Sequence, residues 1–202
     1  MRFRATNVGF KDLVSSNQIS TIGSVQPIVD SDFYNGVALK CANNSYVKID
    51  LSSPFEINGM EEFTVSCFVK CSSVSTWEPL FGKGGANYGP GIWISYNSAF
   101  TPWFRAVDDT SITINPSISC SMNVVHHIAL VKAGDTMSLY VDGVLSDSIT
   151  YTSTIDFGSY ITIGAVGGYY STAEVNDLCI IRNKALWTTN FVPPTEYLSD
   201  RW

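Results

Sequence analysis

The feature that most constrains this chain is a series of short alternating segments separated by tight turns, and residues 126–151 show it best. They read HHIALVKAGDTMSLYVDGVLSDSITY. Apolar Ile128, Leu130 and Leu139 alternate with polar neighbours, which is the period of a half-buried strand. Asp142 and Gly143 have the composition of a type I′ hairpin turn. The segment therefore predicts three antiparallel strands joined by two tight turns.

Similar segments recur roughly every 8 to 14 residues along the chain. Alternation is clear in YVKID, FTVSCFVK and YITIG, and the turn sequences NNS, GKGG and GPG lie between segments. Only NKALWTTNF has a helical pattern, and it is barely two turns long. Because no long helix is available to cross between parallel strands, we predict an all-β fold, an antiparallel two-sheet sandwich. Residues 1–30 have weaker periodicity and are predicted to form an N-terminal arm or first strand, and 31–202 the sandwich.

Composition and charge argue against several classes of partner and cellular location. The net charge of −6 argues against nucleic acid, which requires clustered Lys and Arg. We expect no membrane-spanning helix because no run of about 18 apolar residues occurs. The first residues, MRFRATNVGFKDLVSS, contain no apolar core of a secretory signal. The odd cysteine count and the apolar surroundings of most cysteines predict free thiols in a protein that folds in a cytosol. The five cysteines are Cys41, Cys67, Cys71, Cys120 and Cys179.

Three segments together resemble the concanavalin A-like, laminin G-like jelly roll that pentraxins also share. They are FYNGVALKCANNSYVKIDLSSPFEINGMEEFTVSCFVK, HHIALVKAGDTMSLYVDGV and ITIGAVGGYYSTAEVNDLCIIRNKAL. One departure is Val125, where the family often has Trp before the His-Ile-Ala-Leu strand. The resemblance implies a jelly-roll sandwich over about residues 33–198.

The ending ALWTTNFVPPTEYL is similar to the tail of jelly-roll modules in structural proteins of tailed phages. Pro193 and Pro194 fix an extended strap, and Phe191 and Tyr197 can hold that strap against the sheet. The resemblance implies a virion protein assembled in the host cytoplasm, with other virion proteins or copies of itself as partners.

Glycoside hydrolysis requires two carboxylates that face the same bond. Glucanases of this superfold carry Glu-x-Asp-x-x-Glu on one strand, and this pattern is absent from the sequence. The nearest acidic groups diverge on a strand, where adjacent residues point to opposite faces. They are Glu61 with Glu62, Asp108 with Asp109, and Glu174 with Asp177. We therefore predict that the protein is not an enzyme.

A Ser-His-Asp site is equally disfavoured, because no Gly-x-Ser-x-Gly elbow accompanies His126 and His127. On an alternating strand one of these histidines faces inward and the other outward. We interpret the pair as a sheet-surface histidine beside a hydrogen-bonded core histidine.

Calcium is a further candidate, since jelly rolls of this family often bind Ca²⁺ at one rim and Ca²⁺ takes 6 to 8 oxygen ligands. The candidate ligands are Asp108 and Asp109 in AVDDTS, and Glu174, Asn176 and Asp177 in EVND. The alternative is that the first two shape a turn and that Asp177 bonds backbone N–H groups at a strand start.

Sugar binding needs flat aromatic faces on a rigid scaffold, with polar groups beside them. The aromatic residues on predicted loops are Trp77, Tyr88, Trp103, Tyr169 and Tyr170. Contact with a ligand, capping of the core and contact with another subunit are all open for these five. Phe68 and Trp93 alternate within strands and are predicted to lie in the core.

The sequence thus predicts a non-catalytic virion structural protein, a capsid decoration or fibre-type adhesion module that binds cell-surface glycans. A free-standing carbohydrate-binding lectin is the first alternative and a glycoside hydrolase the second.

Overall fold

The structure of the chain is a computed structural model. It describes residues 2–6, 9–12, 17–41, 44–51, 56–57, 61–75, 77–84, 89–96, 100–105, 113–114 and 117–195. Strands form two large antiparallel sheets over these ranges, and no helix occurs in them. This architecture confirms the predicted all-β sandwich.

We name the first layer sheet A. Its main path runs β15-β14-β13-β8-β20-β1-β2, and β5 pairs with β20 and with β4. Its strands are β1 (Arg2–Thr6), β2 (Gly9–Asp12), β4 (Val25–Val29), β5 (Val37–Cys41), β8 (Phe63–Lys70), β13 (His126–Ala133), β14 (Thr136–Val141), β15 (Val144–Thr150) and β20 (Glu174–Arg182).

The second layer, sheet B, has the order β12-β11-β10-β9-β17-β6-β3. Its strands are β3 (Gln18–Ile22), β6 (Tyr46–Asp50), β9 (Trp77–Lys83), β10 (Gly91–Tyr96), β11 (Phe100–Arg105), β12 (Thr113–Ile114) and β17 (Tyr160–Ile163). Two small pairs complete the described chain. They are β7 (Glu56–Ile57) with β16 (Ile155–Asp156), and β18 (Ala165–Val166) with β19 (Tyr169–Tyr170).

The core lies between the two sheets and is built from the inward-facing half of each alternating strand. Core side chains from sheet A include Ile128, Leu130, Val65 and Cys67, and those from sheet B include Ile49. All five are at or below 1% exposure. Burial of an aliphatic side chain of this size contributes about 1.5–3 kcal/mol. The apolar positions of the alternating pattern that predicted the strands are thus the positions that face the core.

The segment 126–151 forms β13, β14 and β15 in sequential antiparallel pairing, as predicted. Asp142 and Gly143 both have positive φ, 50° and 78°. These are the signs that a type I′ turn requires, and they confirm the hairpin.

The N-terminal 30 residues contribute strands to both layers. In sheet A, β1 pairs with β20 through Arg2 and Phe3, and β4 pairs with β5. In sheet B, β3 pairs with β6 over its whole length. The sandwich therefore includes this segment in its hydrogen-bonded sheets.

The helix predicted in NKALWTTNF is wrong. Residues 183–195, which we call the strap, are irregular and lie against the outer face of sheet A. Their backbone groups bond to strand β8 and to the residues before it. Thr64 donates to the Lys184 carbonyl (3.1 Å) and accepts from the Leu186 amide (3.0 Å), and the Ala185 amide donates to Glu62 (3.3 Å). Tertiary hydrogen bonds and packing override the weak local helical preference.

All five cysteines are buried thiols, as predicted. In the described ranges, no helix is long and apolar enough to cross a membrane.

Candidate functional site

The outer face of sheet B carries a row of aromatic side chains. Ile92, Ile94 and Phe104 point into the core, so their strand neighbours Trp93 and Trp103 point to the opposite face. These two residues are direct partners across the β10–β11 pair. Trp77 is paired with Ser95, two positions along from Trp93, so the backbone register places it at the same face.

Trp93 and Trp103 stack, with ring centroids 5.7 Å apart and planes at 24°. Tyr169 packs edge-on against Trp93 with centroids 5.9 Å apart. Trp93 is completely buried, as predicted, whereas Trp103 is half-buried. The register places Trp93 on the outer face of sheet B, where its cover includes Trp103 and Tyr169.

The hairpin β18–β19 crosses this face as a ridge above β9. Gly82 makes the close approach possible, because a Cβ there would lie 2.9 Å from the Val166 side chain and 2.7 Å from a backbone oxygen. Gly167 and Gly168 form the turn with φ of 57° and 85°, values that favour glycine. Tyr169 and Tyr170 are adjacent on β19 and so point to opposite sides of the ridge.

On the far side of the ridge from Trp93 lies a pocket of about 130 Å³. Tyr46, Tyr160, Tyr170 and Thr162 line it together with hairpin residues 165–168. The Tyr46 and Tyr170 rings are 6.4 Å apart at 38°. Lys48 lies over the Tyr160 ring at 4.7 Å and is paired with Asp50 at 2.6 Å. We call the pocket lined by Tyr46, Tyr160, Tyr170, Thr162 and residues 165–168 the tyrosine pocket.

Four of the five predicted ligand-contact aromatics, Trp77, Trp103, Tyr169 and Tyr170, thus lie on one side of the molecule. Their predicted placement on loops is wrong, because they lie on strands β9, β11 and β19. Tyr88 lies outside the described residues. Sequence reasoning missed Tyr46 and Tyr160. The signal was available, because each is the outward position of a strand whose alternate residues are core, Val47 and Ile161.

None of the predicted calcium ligands that the structure describes lies on the aromatic face of sheet B. Asp108 and Asp109 lie outside the described residues. Glu174 is on the outer face of sheet A, where it pairs with Lys40 at 2.8 Å and Lys70 at 3.8 Å. Within the described ranges, no group of three or more His, Cys, Asp or Glu side chains is arranged to hold a metal ion.

Asn176 and Asp177 also have protein partners, which lie in the turn between β4 and β5. The Asn176 amide donates to Asn35, and Tyr34 donates to Asp177 at 3.4 Å. Asp177 is inside β20 at a bulge, with φ of 48°, so its expected position at a strand start is wrong. The extra residue of the bulge explains the unusual backbone angle.

The outer face of sheet A is covered by the strap. Trp187 and Phe191 stack at 4.0 Å and 6°, and both meet the His127 ring edge-on at 5.6 and 5.7 Å. Phe68 contacts the same imidazole at 4.8 Å and the Tyr34 ring at 5.6 Å, so it is half-buried on the outer face of sheet A and outside the core, contrary to its prediction.

The two histidines face opposite sides of β13, as interpreted, but the outer one, His127, is covered by the strap. Neither ring nitrogen of His127 has a hydrogen-bond partner among the described residues, although the side chain is buried. Burial lowers its pKa to about 4. His126 instead bonds Asp142 at 2.6 Å, and Asp142 also accepts from the His127 amide at 2.8 Å. Burial would raise the pKa of Asp142, but these hydrogen bonds hold it below the ordinary value.

This two-sheet antiparallel architecture is that of a concanavalin A-like sandwich. The family described as the concanavalin A-like lectin/glucanases superfamily, of laminin G type, matches residues 42–185. The chain belongs to this family. A comparison with curated protein sequences finds no match.

Several solved structures have a similar fold. The binding domain of Paraclostridial Mosquitocidal Protein 1 superposes with a TM-score of 0.69 at 17% identity, over 92% of this chain and 49% of that one. The botulinum neurotoxin serotype G binding domain gives 0.66 at 13% identity, over 92% and 48%. The chain thus spans about half the length of these toxin domains.

A third structure matches over most of both chains. Domain 4 of AbnA, an extracellular GH43 arabinanase from Geobacillus stearothermophilus, gives a TM-score of 0.57 at 18% identity, over 85% of this chain and 84% of that one. That domain was solved in complex with arabinotriose. At these identities the likeness concerns the fold.

Proposed function

We propose that this chain is a non-catalytic glycan-binding module whose ligand surface is the outer face of sheet B. The observation that carries the proposal is the half-buried Trp103, which stacks on the buried Trp93, with the exposed Trp77 on the same face of a hydrogen-bonded sheet. Sugar rings present C–H faces that pack on flat aromatic rings, and rigid strands hold those rings without an ordering cost. The complex of AbnA domain 4 with arabinotriose supports the proposal by analogy of fold.

The alternative class of partner is a protein receptor. One of the structures with a similar fold is the binding domain of botulinum neurotoxin DC in complex with rat synaptotagmin II. The exposed Trp77 would suit either partner, since tryptophan is enriched in protein interfaces. The tyrosine pocket favours a sugar, because a concave site with several hydroxyl groups suits a small polar ring better than a flat protein surface.

We further propose that the module is part of a tailed-phage virion, as a capsid decoration or fibre-type adhesion protein. The support is the resemblance of ALWTTNFVPPTEYL to the tails of such modules. Its partners would then be other virion proteins or copies of itself, assembled in the host cytoplasm. A free-standing lectin would use the same aromatic surface without particle association.

A glycan array with the purified chain tests binding. The proposal predicts micromolar binding to one class of sugar and no release of reducing ends from that sugar on prolonged incubation. Turnover of the bound polysaccharide would establish the hydrolase alternative, and an array without hits would contradict the binding proposal. Co-sedimentation with phage particles separates the virion role from the free lectin.

Calcium binding by the AVDDTS loop stays a prediction. Titration calorimetry with CaCl₂ on the wild type and on Asp108→Asn tests it. A heat of binding that disappears in Asp108→Asn would support the site. Equal heats in both proteins, or none in either, would rule out a role for Asp108.

A further inference from the structure

The tyrosine pocket is separated from the tryptophan stack by a structural element. The hairpin β18–β19 sends Tyr169 to Trp93 on one side and Tyr170 to Tyr46 on the other. A ligand lying on the tryptophan stack therefore meets the ridge before it reaches the pocket. The two surfaces are separate subsites of one face.

The size of the pocket corresponds to one ring. Its volume is about 130 Å³, and an engineered protein cavity of about 150 Å³ holds one benzene molecule. The walls combine three aromatic rings with phenol groups, each of which can donate and accept a hydrogen bond. A six-membered ring with hydroxyl substituents satisfies both properties.

The charge of the side chains that line the pocket determines whether a neutral or a charged sugar ring suits it. The described lining consists of Tyr, Thr, Ala, Val and Gly and carries no charged side chain. Lys48, the cation nearest to Tyr160 in the described contacts, is already neutralised by Asp50. A carboxylate in the pocket would lose hydration without gaining a compensating partner.

We infer that the tyrosine pocket binds a single uncharged pyranose unit, against Tyr46 and Tyr170, as a subsite distinct from the tryptophan stack. This inference rests on the proposed glycan-binding function and defines the class of sugar. A glycan would then place one neutral residue in the pocket and further residues across the ridge.

Titration calorimetry with single methyl glycosides tests the inference. The panel contains methyl glucoside, galactoside, mannoside and N-acetylglucosaminide, with methyl glucuronide and N-acetylneuraminic acid as charged counterparts. We expect one neutral glycoside to bind and the charged ligands to bind at least tenfold more weakly. Tyr46→Ala and Tyr170→Ala should each weaken the neutral ligand about tenfold, since each removes one stacking contact. Val192→Ala, at an exposed position of the strap on the opposite sheet, should leave this affinity unchanged.

Thermal melts of each variant verify folding, and Tyr46→Phe, which keeps the ring, should retain most of the affinity. Unchanged binding in both folded alanine variants would overturn the inference, and so would a preference for the charged ligands. If array glycans bind and Trp103→Ala abolishes that binding while the pocket variants have no effect, the inference fails and the proposed function stands. An array without any hit contradicts both.

Discussion

Gly143, in the turn between β14 and β15, and Phe191 of the strap join the two segments through a backbone hydrogen bond. The Phe191 amide donates to the Gly143 carbonyl at 2.8 Å, and a Cβ on Gly143 would lie 1.8 Å from the Phe191 carbonyl oxygen. Any side chain at residue 143 therefore collides with the strap backbone, in addition to the strain of its positive φ. One glycine meets both a turn requirement and a packing requirement.

Gly143→Val should consequently destabilise the protein by well over about 1 kcal/mol, the usual cost of a positive φ alone. Gly134→Val is the matched control. Gly134 also has positive φ, 59°, but nothing lies within 4 Å of its Cβ position. Denaturant unfolding of both variants measures the difference. Equal losses of stability would show that the strap contact contributes nothing.

Acidification should weaken the protein through His127. Its pKa is about 4 in the folded chain and about 6.5 when exposed, because burial under Trp187 and Phe191 disfavours the imidazolium. The unfolded chain therefore takes up a proton first as the pH falls. The contribution of neutral His127 to the free energy of unfolding is therefore complete above pH 6.5. It declines by about 1.4 kcal/mol per pH unit toward pH 4. The described carboxyls with lowered pKa, Asp30, Asp142 and Asp156, lose their own contribution to stability as the pH falls below about 5, so the effect of His127 is isolated between pH 6.5 and 5.

Replacing His127 by Phe keeps an aromatic ring under the strap and removes the titration. We expect the decline between pH 6.5 and 5 to flatten in His127→Phe and to persist in His126→Gln. Urea midpoints at half-unit pH intervals measure it. A decline of the same slope in His127→Phe would assign the acid sensitivity to another group.

The thiols should be unreactive in the folded protein. Burial raises the pKa of Cys41, Cys67 and Cys120 to about 12 and also raises that of Cys71. The thiolate is the reactive form, so a thiol reagent at pH 8 should label the native chain very slowly. All five thiols should react at once in denaturant. Fewer than five would reveal a disulfide, and rapid native labelling would contradict the buried positions.

Deleting residues 2–24 should destabilise the sandwich. The deletion removes β1 and β3, the latter bonded along all of β6, and also Ile19, which packs against the core. We expect a much lower melting temperature or an insoluble product. A truncated chain that melts with the full chain and fails only to assemble would show instead that this segment is a tether.

The sequence was sufficient to predict the strands, because a period of two is a local property that backbone geometry imposes. It also singled out Trp103, Tyr169 and Tyr170, but as loop residues, whereas they lie on strands β11 and β19. It predicted the burial of Trp93 and could not predict the position of Phe68. Alternation shows that a side chain is covered, but whether the opposite sheet or an outer cover buries it depends on distant segments. The cover of Trp93 includes Tyr169 of the hairpin β18–β19, and Phe68 lies against Tyr34 and His127.

The strap itself shows a second limit. NKALWTTNF has a helical pattern, yet Thr64 from a strand more than 100 residues earlier bonds its backbone. Local propensity amounts to a few tenths of a kcal/mol per residue, so a few tertiary hydrogen bonds with aromatic packing decide the conformation. No local window of sequence contains that information.

The indole N–H region of the ¹⁵N–¹H NMR spectrum provides the most direct measurement of the central claim. The chain has five tryptophans, at positions 77, 93, 103, 187 and 202, and single Trp→Phe variants assign their signals. The strongest glycan from the array is titrated into the labelled protein. The account predicts shifts in the signals of Trp77 and Trp103, with the signal of Trp187, in the strap on sheet A, unchanged. Shifts confined to Trp187, with Trp77 and Trp103 unaffected, would place the ligand on sheet A and contradict the assignment of the binding surface to sheet B.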